Sequence, residues 1–274
     1  MDDDRLYDLL TRLMALSPEG EAGRNAMVRE VCAGATSLPP LPAEREPEGV
    51  PELVEFAEQF AVDVSVISAE QRAAFMAALG DSAFRVVGLI FVADFVPRVR
   101  AGLAALGFAP VVEPVVWDRD TDPLDLLLNQ FVPTVGALRA LDPITTEVVR
   151  LRGAVAHDCR LCKSLREGAA LDAGGTESMY ADIEHYGSSS LLSDRHKAAL
   201  RYVDALIWTP SSIGPDVAAG VREHFSDAEA IELTLDVMRN AVNKIAVALG
   251  ADAARVQEGT ERYLLGVDGQ PVYG

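Results

Sequence analysis

Residues 226–250 read SDAEAIELTLDVMRNAVNKIAVALG, and in that stretch Ile231, Leu235, Met238, Val242, Ile245 and Leu249 recur at steps of three and four. Such spacing lays the apolar side chains along one face of a helix with 3.6 residues per turn. Ser226 with Glu229 three residues on has the form of a capping box, and Gly250 supplies a C-terminal stop. Working outward, the same periodicity predicts helices over residues 4–16, 50–62, 69–79, 144–156, 159–170 and 194–206. Ser68 with Gln71 forms a second capping box, and Pro143 and Pro215 stand where helices can begin. No stretch sustains period-two alternation between hairpin turns, so the fold class expected is all-α.

The stretch also has an echo. Residues 84–107 resemble 227–250 at a constant offset, pairing Val92 with Leu235, Phe95 with Met238, Val99 with Val242, Leu106 with Leu249 and Gly107 with Gly250. Upstream, Ala73-Ala74 pairs with Ala218-Ala219 across a short gap. The pattern reads as a tandem duplication: a first half over 1–111, a connector over 112–127, a second half over 128–257 and a tail over 258–274 without a clear pattern. The first half has Cys32 alone where the second has a cysteine pair. It also carries Pro97 inside its long helix, where a kink or break is expected. It reads as a degenerate copy.

Composition narrows the function classes. The 274 residues are 49% hydrophobic and 24% charged, enough apolar surface for a core. With 42 acidic against 24 basic residues, a net charge of -18, no basic stripe exists to hold nucleic acid. The Met-Asp-Asp-Asp start lacks the features of a secretory signal, and the apolar run 86–95 is broken by Gly88 and Asp94 and is too short to span a bilayer. Three cysteines (32, 159 and 162) make no secreted disulfide framework. A cytoplasmic protein without a membrane partner is expected.

Chemistry concentrates in EVVRLRGAVAHDCRLCKSLR, residues 147–166. Asp158 suits an N-cap, which would make Cys159 the first helical residue and place Cys162 one turn on, on the same face. Thiols there would feel the helix dipole and free amides, and Arg160, Lys163 and Arg166 add positive charge; all favour thiolate. The two-residue spacing lets the sulfurs close into a disulfide. Half of a zinc site is disfavoured, because no second cysteine pair exists and His157, His185, His196 and His224 are scattered singly. Two structural cysteines without chemistry remain an alternative.

Glu147, Cys159 twelve residues later and Cys162, followed by SDAEAIEL from 226 and NAVNKIA from 240, resemble the Glu…Cys-x-x-Cys signature of the AhpD-like alkylhydroperoxidases, within the carboxymuconolactone decarboxylase superfamily. The resemblance covers most of the second half. It implies an AhpD-like helical bundle, a peroxidatic Cys162, a resolving and proton-donating Cys159, and Glu147 as the carboxylate of a proton relay. It also implies a small peroxide or disulfide substrate, a thiol reductant protein as partner, no metal or organic cofactor, and a homo-oligomer with a trimer favoured. One position departs: the family's histidine, four residues after the second cysteine, is Arg166. Arginine stays charged and cannot shuttle a proton, although it can stabilise a thiolate or pair with Glu147. His157 is the substitute base within reach along the chain.

The expected function is therefore a dithiol peroxidase or disulfide reductase. A decarboxylase-like enzyme and a non-catalytic helical scaffold or small-molecule binder are the alternatives. His185-Tyr186-Gly187 and Asp194-Arg195-His196 read as surface and capping residues, Trp208 as a loop anchor packed on the bundle, and Asn240 with Asn243 as groups at an interface or in solvent.

Overall fold

The helix over Ala83–Ala105 is the axle of the molecule, buried on nearly every face from Val86 to Val99. The computed structural model describes residues 3–114 and 116–273; Met1 and Asp2 of the acidic start, Val115 of the connector and Gly274 of the tail lie outside the described residues. Four helices precede the axle: α1 (Asp3–Ala15), α2 (Ala22–Thr36), α3 (Pro51–Val62) and α4 (Ala69–Leu79), so the axle is α5. Short helices α6 (Pro123–Asp125) and α7 (Val132–Gly136) flank a π-helical turn and lead to α8 (Pro143–Ala156). After α8 come α9 (Arg160–Lys163), α10 (Gly168–Asp172) and α11 (Glu177–Ala181), then α12 (Asp194–Trp208), α13 (Pro215–His224), α14 (Asp227–Ala241) and α15 (Lys244–Ala248).

Packing against α1, α2, α12, α14 and α15 encloses α5. Leu13, Phe56, Phe60, Phe91, Phe95, Leu235 and Met238 belong to one continuous buried cluster that runs from α1 to α15 across both halves of the sequence. Each such side chain contributes about 1.5–3 kcal/mol by leaving water. A smaller cluster of Val148, Leu151, Tyr180, Ile183, Leu192 and Leu200 lies beneath α8 and α12.

The expected helix starts are found with their chemistry. Ser68 and Gln71 form a reciprocal capping box on α4, Ser226 and Glu229 another on α14, and Pro143 and Pro215 open α8 and α13. Five expectations need correction. Pro97 does not break α5, because one lost backbone bond is outweighed by packing on all sides. The helix expected over 159–170 is divided by a strand, β1 (Leu165–Glu167), and the one over 226–250 pauses between α14 and α15. The tail holds β2 (Glu261–Leu265) and β3 (Pro271–Tyr273), so the chain is mainly rather than wholly helical: β1 pairs with β2 in parallel and β2 with β3 antiparallel, joined by a turn through Asp268-Gly269. Trp208 stands at the end of α12, 45% exposed, instead of anchoring a loop.

The stretch Ala69–Ala105 is long and apolar enough to cross a membrane. Over half of its most apolar window is buried inside the fold, as in the core helix of a soluble protein, and it carries ionised side chains that the fold satisfies. Asp94 on α5 accepts from Arg98 at 2.7 Å and from Lys244 of α15 at 2.5 Å, while Arg98 also donates to the carbonyls of Ala61 and Ile207. Burial lowers the Lys244 ammonium below its ordinary value and raises the thiol of neighbouring Cys32.

Candidate active site

A tight turn delivers Cys159. Helix α8 ends as the amide of Cys159 donates to the carbonyl of Ala154 at 3.0 Å, with Asp158 held at a positive φ of 51° that aspartate tolerates better than most residues. Cys159 itself, and not Asp158, is the N-cap of α9: its Sγ accepts the amide hydrogen of Cys162 at 3.2 Å. The two sulfurs are joined as a disulfide. Cys159 is 1% exposed and Cys162 7%, so both are buried and Cys162 is the residue nearer to solvent.

Three electrostatic expectations are corrected. Helix α9 has four residues, too few for a substantial dipole, and the local amide of Cys162 takes that role. The expected positive charges are each cancelled: Arg160 by Asp252 at 2.6 Å, Lys163 by Asp158, and Arg166 by Glu177 at 2.9 Å. Arg166 lies over the ring of Tyr180 and meets neither Glu147 nor the sulfurs, because β1 turns it toward α11.

The partner of Glu147 is Arg150. Both carboxylate oxygens of Glu147 accept from that guanidinium, at 2.6 and 2.7 Å, and one also accepts the amide of Glu167 at 3.2 Å. Arg150 then donates to the carbonyls of Cys162 at 2.8 Å and Leu165 at 2.7 Å. Glu147 therefore reaches the dithiol through Arg150 and the backbone. All of these groups are buried; burial by itself would lower the pKa of Arg150, but the neighbouring Glu147 carboxylate and Tyr263 outweigh it and hold the guanidinium above its ordinary value.

A cavity of about 190 Å³ opens beside the sulfurs, and its wall includes Cys159, Cys162, His157, Arg150, Asn240, Asn243 and Tyr263. His157 caps the end of α8, its ring nearly perpendicular to that of Phe95 with 6.3 Å between centroids. Burial, helped by the charges of Lys244 and Arg98, pushes its pKa well below the ordinary histidine value. Among the described residues its Nε2 has no hydrogen-bond partner, and neither has Nδ2 of Asn240.

Cys159, Cys162 and His157 thus meet at one cavity, Glu147 stands one residue behind it, and Arg166 is outside. The sequence reading missed Asn240 and Asn243 as cavity residues, although two amides three apart at the end of α14 were a signal. It missed the tail as well: Tyr263, Leu265, Pro271 and Tyr273 build the far wall. Its signal was Asp268-Gly269 between two short apolar runs, a hairpin turn. Among the described residues no group of three or more His, Cys, Asp or Glu is placed to hold a metal ion.

No known protein-family profile matches the chain. It is 27% identical over 139 residues to the uncharacterized protein YnjA of Escherichia coli, covering 50% of this chain and 76% of that one. Among solved structures, a point variant of the debrominase Bmp8 in complex with 2,3,4-tribromopyrrole aligns at a TM-score of 0.39 and 14% identity, over 58% of this chain and 84% of that one. The uncharacterized proteins MT2376 and Rv2313c of Mycobacterium tuberculosis are each 57% identical over 277 residues, covering 97% of both chains. The chain belongs to the family of these two mycobacterial proteins.

Proposed function

We propose that the protein is a thiol-based oxidoreductase of AhpD-like type that reduces small hydroperoxides or disulfides through Cys159 and Cys162. The observation that carries this reading is a disulfide between two cysteines of one turn at the wall of a cavity. In the proposed cycle the Cys162 thiolate attacks the distal oxygen of a hydroperoxide. The O–O bond breaks, Cys162 becomes a sulfenic acid, and the leaving alkoxide departs as the alcohol by taking from water the proton that Cys162 gave up on ionising. The Cys159 thiol condenses with it, releasing water and forming the disulfide. A partner thiolate next attacks the sulfur of Cys162, the more exposed residue of the pair. Cys159 departs as a thiolate stabilised by the Cys162 amide, and a second partner thiol completes the two-electron reduction.

The wider reading keeps the same form. The pairs α4–α5 and α13–α14 descend from one duplicated unit, supported by the mutual packing of α5 and α14. The chain works in the cytoplasm as a homo-oligomer, a trimer being the arrangement the resemblance favours. A second reading, a helical binder with a structural disulfide, draws on the full pairing of Glu147 by Arg150, which leaves that carboxylate no free base function.

One experiment decides between them. Reduced protein is treated with cumene hydroperoxide in the presence of a dimedone-type trap and digested for mass spectrometry, as wild type, Cys159→Ser and Cys162→Ser. A trapped adduct on Cys162 that accumulates in Cys159→Ser and vanishes in Cys162→Ser supports the peroxidase. Unreactive thiols in the folded wild type favour the binder.

A further inference from the structure

The C-terminal hairpin governs the approach to the disulfide. Cys159 and Cys162 are both buried, and the space beside them is a cavity of about 190 Å³. Tyr263, Leu265, Gly269, Pro271 and Tyr273 of the tail form part of its wall. Tyr263 is 6% exposed and its ring centroid lies 5.6 Å from the Arg150 guanidinium, so it stands deep in that wall. Tyr273, 39% exposed and 6.2 Å from Tyr263 between ring centroids, stands at the rim.

The hairpin is fastened at both ends. β2 runs beside β1, and the Glu261 amide donates to the Ser164 carbonyl at 2.8 Å. β1 begins three residues after Cys162, so this ladder ties the tail to the dithiol segment itself. Just upstream, the Leu161 amide donates to the Asp252 carbonyl at 2.9 Å and the Arg255 amide to Ser164 Oγ at 3.0 Å. At the turn, Arg139 donates to the Gly266 carbonyl at 3.1 Å. The backbones of Gly136 and Gly269 approach so closely there that a Cβ on Gly136 would stand 2.6 Å from the Gly269 oxygen.

A thiol that reduces the disulfide passes through a mixed disulfide with Cys162, and such a bond holds the two cysteine Cα atoms about 4.4–6.8 Å apart. A protein reductant would have to bring its own backbone that near, with a carrying helix about 10–12 Å across. The docked hairpin stands in that space. A small thiol brings only a few atoms behind its sulfur and fits the cavity.

We propose that the reductant of this site is a low-molecular-weight thiol, in place of the reductant protein that the family resemblance implies, and that the docked hairpin excludes the thiols of folded proteins. The assignment of this partner rests on the dithiol reading. One small thiolate attacks the Cys162 sulfur, the protein S–S bond breaks, and Cys159 leaves as a thiolate that takes a proton from water. A second small thiolate attacks the small-molecule sulfur of the mixed disulfide. Cys162 leaves, is protonated in turn, and a symmetrical small disulfide departs. Two thiols are oxidised and one protein disulfide is reduced.

The test follows reduction of oxidised full-length protein by dithiothreitol and, separately, by thioredoxin kept reduced by its reductase. Alkylation and mass spectrometry read the free thiols at residues 159 and 162, and insulin serves as an exposed disulfide. Dithiothreitol should be the faster reductant of the native protein and thioredoxin the faster on insulin. Arg139→Ala and Gly136→Ala, which loosen the turn without touching the cavity wall, should raise the thioredoxin rate about tenfold or more and the dithiothreitol rate less than about twofold, because only the protein reductant depends on local opening. Circular dichroism confirms that each variant is folded, and one folded variant suffices. Thioredoxin outpacing dithiothreitol on the native protein, or loosened variants that leave its rate unchanged, would overturn the proposal and leave the dithiol reading standing. Failure of both reductants on folded protein would overturn both.

Discussion

The guanidinium of Arg150 donates to the backbone carbonyl of Cys162 at 2.8 Å while its other edge grips both oxygens of Glu147. One side chain thus fixes the carbonyl end of the short helix that bears the dithiol and ties it to Glu147. Both oxygens of Glu147 are engaged by a buried cation. Arg150→Ala should leave Glu147 as an unpaired buried charge and cost about 3–5 kcal/mol. Glu147→Leu with Arg150→Met should cost less than Arg150→Ala alone. Urea unfolding of the three proteins checks the order, and equal losses would show that the pair is not coupled.

Glu232 gives the protein a stability that depends on pH. Burial, with Asp236 close by, pushes its pKa from 4.5 up to about 7, against the pull of the Ala140 amide and Arg139. A raised folded value means that the native state holds the proton more tightly than the unfolded chain does. The associated stability is therefore complete below the unfolded value and is lost as pH rises through about 7. Glu232→Gln keeps an oxygen for the Ala140 amide and removes the titration. Its urea midpoint should change less than wild type between about pH 5 and about pH 8, and parallel curves would refute this assignment.

His157 should stay neutral. Its folded pKa lies well below 6.5 through burial and the charges of Lys244 and Arg98. The sign is opposite to that of Glu232: the stability is present above the unfolded value and is lost as pH falls through that value toward the folded one. In a pH series of imidazole NMR signals, the His157 resonance should remain that of the neutral ring where an ordinary histidine is half protonated, near pH 6.5. A midpoint near the ordinary value would contradict its enclosure.

The hairpin wall depends on one glycine. Gly269 adopts φ +76°, and a Cβ there would collide with the Pro133 carbonyl oxygen and stand 2.6 Å from the Ala137 amide. Gly269→Ala should loosen the hairpin from α7 at a cost of about 1–3 kcal/mol. Amide exchange should accelerate over residues 261–265 and stay slow in α5. Unchanged exchange in the hairpin would show that its docking does not rest on that close approach.

How much of this was legible without coordinates follows from the range of the interactions. Capping boxes, proline starts and the period of α14 are local, and residues 226–250 carried them in plain view. The proximity of Cys159 and Cys162 was local too. The pairing of Arg150 with Glu147 lay within one helical turn and was still overlooked, because the absent family histidine drew attention to Arg166. The strand that divides α9 from α10 exists only because a tail some ninety residues downstream pairs with it, as the Leu165–Glu261 register shows. Asn240 and Tyr263 become cavity neighbours by the same long-range closure, which no periodicity encodes.

The central claim is that Cys159 and Cys162 cycle between thiols and a disulfide while Cys32 stays out of the chemistry, sealed at 1% exposure. Fully reduced protein exposed to one equivalent of cumene hydroperoxide, then alkylated and mapped by mass spectrometry, measures this directly. The account predicts that the peptide spanning residues 159–162 loses both free thiols to an internal disulfide, Cys32 remains reduced, and dithiothreitol restores the starting state. Retention of both thiols in folded protein, or their overoxidation without a disulfide, would contradict it.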